Sequence, residues 1–116
     1  MYNYNCDVLL VVDGDTIDVE IDLGFKVYTK IRLRLNGIDT PEKHIIAQRE
    51  KALAARDFLR AKLAEYKNEC VIKSIKTEKY GRWLADVFVG QEALSVNDIM
   101  IKEGHAKPYN GGKRDG

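Results

Sequence analysis

Two runs of this chain alternate apolar and polar residues with a period of two, and they constrain the fold more than any other feature. In residues 16–22 (TIDVEID), Ile17, Val19 and Ile21 alternate with Asp18, Glu20 and Asp22; in residues 30–35 (KIRLRL), Ile31, Leu33 and Leu35 alternate with Lys30, Arg32 and Arg34. Successive side chains on a strand point to opposite faces, so each run predicts a strand with one buried and one wet face. Asp18, Glu20 and Asp22 then need no function beyond solvation. Asp13 and Asp15 break the order, because they share the parity of the apolar residues and would point toward a core where an unpaired carboxylate is very costly. Either Gly14 bends the chain or positive groups meet these acids; a plain DGD turn is the bland alternative.

The remaining elements follow from similar patterning. LGF at 23–25 supplies a turn, Asn36-Gly37 another, and Pro41 stops ladder pairing. Residues 47–66 place Ala52, Ala55, Leu59, Leu63 and Tyr66 three and four apart with charges between them, which predicts an amphipathic helix; its alanines and straight side chains favour that state intrinsically. Residues 70–76 and 82–89 read as strands joined by the TEKYG loop. Ser95, three residues before Asp98, predicts a capped helix over VNDIMIKEG that stops at Gly104. Residues 107–116 carry turn chemistry without an apolar period and read as a loose tail. At 116 residues, residues 1–116 make one domain. Strands, a helix, two strands and a helix point to an α+β, mainly β, arrangement; a five-stranded, partly open Greek-key barrel with helices plugging or flanking it fits the count.

Composition excludes several classes. The 19 basic and 18 acidic residues give a formal charge of +1, so a nucleic-acid site would have to come from local placement. Cys6 and Cys70 lack zinc-site spacing and are too few for a disulfide scaffold; they read as small buried residues on two strands, with a cross-strand disulfide left open. No apolar run is long enough to span a membrane, and the first ten residues lack the basic start and apolar core of a signal peptide. A cytoplasmic location is the default expectation, although a mature secreted form would look the same.

Three stretches stand outside the amphipathic logic: DGDT (13–16), RLNGIDTPE (34–42) and KYGR (79–82). Each joins acids or arginines to glycine or proline in a loop, where function concentrates. Asp15 and Asp39 suit a hard cation such as Ca²⁺, which takes carboxylates, carbonyls and waters. An EF-hand is excluded, because Ile17 stands where its loop needs an oxygen ligand. A carboxylate pair holding a cation, another carboxylate free to accept a proton, and arginines able to grip phosphate are the parts that cleavage of a phosphate ester calls for.

DGDT, the R-x-x-x-x-DTPE arrangement from Arg34 to Glu42, KYGR, and VNDIMIKEGHA (96–106) together resemble the thermonuclease family, the staphylococcal nuclease-like calcium-dependent nucleases. The resemblance runs from about Val11 to Lys113 with the motifs in the family's order, and is nearer to short phage and plasmid members than to the longer secreted enzymes. It implies a five-stranded Greek-key OB-fold barrel with two or three packed helices. It also implies a monomeric, sugar-nonspecific nuclease that needs Ca²⁺, cleaves DNA and RNA with little sequence specificity, prefers single strands, and leaves 3′-phosphates. By the same resemblance, Asp15, Asp39 and the backbone carbonyl of Thr40 coordinate calcium, and Asp13 hydrogen-bonds metal-bound water. Glu42 is the general base, Arg34 and Arg82 bind phosphate and stabilise the transition state, and Lys79, Tyr80 and Tyr109 contact a terminal phosphate or stack near a base.

Departures from the pattern are also visible. The chain stops at Gly116, short of the terminal helix of the secreted enzymes. Asn110 and two glycines stand where those enzymes continue a tyrosine-bearing loop, and the loop after DTPE is short. His44 reads as a solvent-facing loop residue, His105 as a dipole partner at a helix end, and Trp83 as core or half-buried, not a base platform. The competing reading is a noncatalytic OB-fold module that binds nucleic acid or protein. Such modules usually lack these acids and arginines, whereas all are present here.

Overall fold

A computed structural model describes residues 3–109. Strands β1 (Asn3–Asp13), β2 (Thr16–Asp22), β3 (Tyr28–Leu35), β5 (Glu69–Thr77) and β6 (Trp83–Phe88) close into a barrel of order β1-β2-β3-β6-β5. The β3–β6 contact is parallel and the others antiparallel. Two helices, α1 (Arg49–Ala64) and α2 (Val96–Lys102), pack on it, with a 3₁₀ turn at Ile46–Gln48 leading into α1. This is the OB-like α+β barrel the sequence predicts, closed where the pattern suggested a partly open one. Among the described residues no helix is long and apolar enough to cross a membrane.

The alternation in β2 and β3 does what it predicts. Ile17, Val19, Ile21, Leu33 and Leu35 are buried while Asp18, Glu20 and Arg32 face outward. Asp18 and Arg32 are directly opposite across the two strands, and the guanidinium grips the carboxylate through Nε at 2.8 Å and Nη2 at 3.2 Å. Strand β1 is less regular: register shifts between Val8 and Leu10 and between Val11 and Asp13 insert bulges. Each bulge resets parity, so burial passes from Cys6 and Val8 to Val11 and leaves Leu9 and Leu10 outside.

Helix α1 buries Ala52, Ala55, Leu59 and Leu63, the stripe read from the sequence, against the barrel end. The alanines let it come close: a Cβ on Gly14 would lie 2.8 Å from the Ala55 Cβ, so the DGD turn needs glycine for room. Ser95 caps α2, its Oγ accepting from the Asp98 N–H at 3.0 Å. Behind that cap Asn97 is almost fully buried. Its Oδ1 accepts from the Val87 N–H at 2.9 Å, and its Nδ2 donates to the carbonyls of Asn36 at 2.8 Å and Ala85 at 3.1 Å. One side chain thus ties α2 to β6 and to the turn that precedes the DTPE loop.

Other expectations resolve more simply. Cys6 and Cys70 are opposite each other on β1 and β5, buried and free; the hydrogen bond to Cys6, then burial, push the Cys70 thiol well above its ordinary value. His105 stacks on Phe58 with ring centroids 4.6 Å apart. The segment read as a loose tail begins as a strand, because β7 (Lys107–Pro108) pairs with β4 (Ile38–Asp39) and the Tyr109 N–H donates to the Gly37 carbonyl at 2.8 Å. Residues 110–116, with Asn110 and its two glycines, lie outside the described residues.

Candidate active site

Strand parity and loop chemistry bring three of the predicted residues into contact. Arg34 is near the end of β3, opposite Thr16 on β2. Its side chain is 15% exposed and reaches two acids from different segments: Nη1 lies 3.4 Å from Asp15 Oδ2, and Nη2 lies 3.5 Å from Asp39 Oδ1. Nη2 also donates to the Ile38 carbonyl at 3.3 Å. Asp15, buried in the turn between β1 and β2, accepts a hydrogen bond from the Thr16 hydroxyl at 3.0 Å, and its own carbonyl accepts from the Leu35 N–H at 2.8 Å. The parity puzzle therefore has a direct answer: Asp15 meets Arg34, and Asp13, partly exposed, meets Lys43 Nζ at 3.2 Å.

Asp39 sits in β4 and Thr40 follows, buried. The Asp15–Arg34–Asp39 group pairs two carboxylates with one guanidinium and so carries one net negative charge. Two carboxylates and the backbone carbonyl of the next residue, Thr40, are hard oxygen donors of the kind that suits Ca²⁺. Among the described residues no three His, Cys, Asp or Glu side chains converge as a metal cluster, so a cation held here would rely on carbonyl, water or substrate oxygens for the rest of its shell.

Glu42 is on the loop after β4. Its Oε2 lies 3.1 Å from His44 Nε2, and its N–H donates to Gln48 Oε1 at 3.0 Å, while the Arg49 Nε donates to the Lys43 carbonyl at 3.3 Å. These bonds lash a short loop to the start of α1. His44 is exposed, as expected, and it touches the carboxylate predicted to act as base.

Arg82 approaches from another loop. It lines one groove with Arg34, and its guanidinium is held in the charged form chiefly by Glu78, with Tyr109 and Asp15 adding to the field. Glu78 organises the KYGR turn by accepting from the Tyr80 N–H at 2.8 Å, the Arg82 N–H at 2.9 Å and Arg82 Nη2 at 3.1 Å. Arg82 hydrogen-bonding holds the Glu78 carboxyl below its usual range. Tyr80 is exposed between two cations, with Lys79 Nζ 5.1 Å and the Arg82 guanidinium carbon 6.0 Å from its ring centroid. The Tyr109 ring centroid is 5.9 Å from the Arg34 guanidinium carbon. Glu78 and Lys43, which the motifs did not single out, thus partner the predicted residues Arg82 and Asp13. Trp83 differs from expectation: it is 41% exposed.

An OB-like barrel in which a turn aspartate, Asp15, and a strand aspartate, Asp39, are bridged by Arg34, with Arg82 lining the same groove, defines a class of small barrel. The chain belongs to the staphylococcal nuclease family: residues 32–115, which include Arg34, Asp39, Thr40, Glu42, Arg82 and Tyr109, match the family described as staphylococcal nuclease homologue. It is 36% identical over 112 residues to protein ParB of Escherichia coli, covering 89% of this chain and 56% of that one. It is 31% identical over 114 residues to micrococcal nuclease of Shigella flexneri, covering 92% and 59%. With the thermonuclease of Staphylococcus hyicus the identity is 34% over 102 residues, covering 86% and 56%. The chain thus spans less than two thirds of the length of these relatives.

Proposed function

We propose that this protein is a Ca²⁺-dependent nuclease that hydrolyses phosphodiesters of single-stranded DNA and RNA with little regard for sequence. The observation that carries this reading is the convergence of Asp15 and Asp39 on Arg34, with Arg82 lining the same groove. Acids alone would suit a structural ion, and arginines alone would suit a binding surface. Their combination suits a phosphate that must be both held and attacked.

In this mechanism Arg34 and Arg82 grip the non-bridging oxygens of the scissile phosphate, and their planar donor pairs take up the charge that grows as phosphorus becomes five-coordinate. Glu42 accepts a proton from the attacking water as its oxygen bonds to phosphorus, and the P–O5′ bond breaks, the departing oxygen taking a proton from solvent, to leave a 3′-phosphate and a 5′-hydroxyl. Asp15, Asp39 and the Thr40 carbonyl would hold calcium, and Asp13 would orient its water. When bound, calcium supplies Lewis-acid polarisation of the phosphate. Lys79, Tyr80 and Tyr109 form a basic and aromatic flank for the strand.

Digestion of single-stranded DNA with and without millimolar calcium is the direct test. Cleavage should appear with calcium and stop with EDTA, and Glu42→Gln should slow it by about a hundredfold or more while the circular-dichroism spectrum stays native. Binding without cleavage under all these conditions would identify a noncatalytic module instead.

A further inference from the structure

The groove beside the arginines extends past them. Its volume is about 380 Å³, and Ile31, Arg32, Gly81 and Trp83 line it together with Arg34 and Arg82. None of the residues expected to flank the substrate, Lys79, Tyr80 or Tyr109, is part of this lining. A strand whose scissile phosphate sits on Arg34 and Arg82 therefore has two exits, one past Tyr109 and one into this groove. Trp83 opens β6, with much of its indole uncovered. Gly81, two residues earlier, has φ +81°, a conformation that favours glycine, and a Cβ there would meet no protein atom within 4 Å. On the rim, Arg32 is held in place by Asp18 at 2.8 Å and 3.2 Å while its side chain stays 63% exposed.

We propose that this groove is a second nucleotide subsite, in which the nucleoside on the far side of the scissile phosphate from Tyr109 stacks its base on Trp83 against Ile31, and the next phosphate meets Arg32. The inference rests on the nuclease reading for the placement of the scissile phosphate. An exposed indole offers a face to any base, and three guanidinium groups along one groove, each partnered by a carboxylate, still have more N–H donors than those partners use and so suit the oxygens of a phosphate chain and not an apolar partner. An exposed aromatic is unremarkable by itself; the arginines on both sides give this one an occupant.

Trp83 is the sole tryptophan, so its fluorescence reports on the groove directly. In EDTA, where cleavage is off, a short single-stranded oligonucleotide should quench it, and the same backbone without bases should quench it far less. In calcium, two dinucleotides that each lack the base on one side of their single phosphodiester provide the second readout. Trp83→Leu should lower kcat/KM about tenfold on the dinucleotide that keeps the base facing the groove. It should leave the other unaffected, and Trp83→Phe should restore most of the loss. The same fractional change in kcat/KM on both dinucleotides in Trp83→Leu, or no base-dependent quenching, would overturn the subsite even if the enzyme cleaves well. Base-dependent quenching in a protein that cleaves nothing would sustain the subsite and overturn the nuclease reading.

Discussion

Arg34 and Arg82 are offered to the same phosphate, yet the molecule holds them in opposite ways. Arg34 stands near the end of a barrel strand, is 15% exposed, and is clamped by Asp15 from the β1–β2 turn and by Asp39 and the Ile38 carbonyl from β4. Arg82 stands on a turn, is 54% exposed, and leans on one acid four residues earlier. The first is part of the framework; the second is tethered to it. A guanidinium that also neutralises a buried acid cannot be removed without disturbing the fold, whereas one on an exposed turn can be lost with only its chemistry.

Alanine at the two positions should separate these roles, and the largest effects are expected here. Arg34→Ala and Arg82→Ala should each slow cleavage by about a hundredfold or more, the cost of losing one transition-state donor. Only Arg34→Ala should also lower stability, by about 3 kcal/mol, since it strands the buried Asp15 carboxylate. Calcium should restore part of that stability, because a divalent ion can replace the missing positive charge, so the calcium-induced rise in Tm should be larger in Arg34→Ala than in the wild type or Arg82→Ala. Equal Tm losses in the two variants would erase the distinction between framework and tether.

The contrast also marks what could be read from the chain. Period-two runs in β2 and β3 and the helical stripe of α1 were legible because each is a local pattern facing one core. The parity of Asp13 and Asp15 exposed the need for positive partners, but naming Lys43 and Arg34 required knowing which loops meet. The bulges of β1 were invisible, since Val8, Leu9, Leu10 and Val11 are all apolar and give no alternation to break. Trp83 shares parity with the buried Ala85 and Val87, which favours an inward reading. It is the first residue of its strand, however, and exposure there is set by neighbours distant in sequence. Asn97 was silent for a related reason: a polar residue in the first turn of a helix is ordinary, and only the meeting of α2, β6 and Asn36 makes it structural.

Asn97 gives the next largest effect and sharpens the comparison from the framework side. Asn97→Ala removes the acceptor for the buried Val87 N–H and the donor to the Asn36 and Ala85 carbonyls. It should cost about 2 kcal/mol by denaturant unfolding. The turn at Asn36 leads into β4, so the loss should be felt at Asp39 as weaker calcium response, while Arg82, which Glu78 holds, should change little. A variant whose calcium response is intact would mean that β4 is held by its pairing with β7 alone.

The smallest effect is expected on the tether. Glu78→Gln keeps an acceptor for the turn's N–H groups but removes the charge facing Arg82. Arg82 holds the Glu78 carboxyl below its ordinary 4.5, so the pair's contribution to stability is fully present above that pH and is lost as pH falls through the depressed folded value. The wild type should therefore exceed Glu78→Gln slightly in Tm at pH 7, and the two should converge on acidification below about 4.5. Because an exposed pair is weak, freeing Arg82 from its acid should change KM by no more than about threefold. A Tm loss in Glu78→Gln as large as that of Arg34→Ala, persisting at pH 3, would place Arg82 within the framework and require a different account of how the second guanidinium reaches the phosphate.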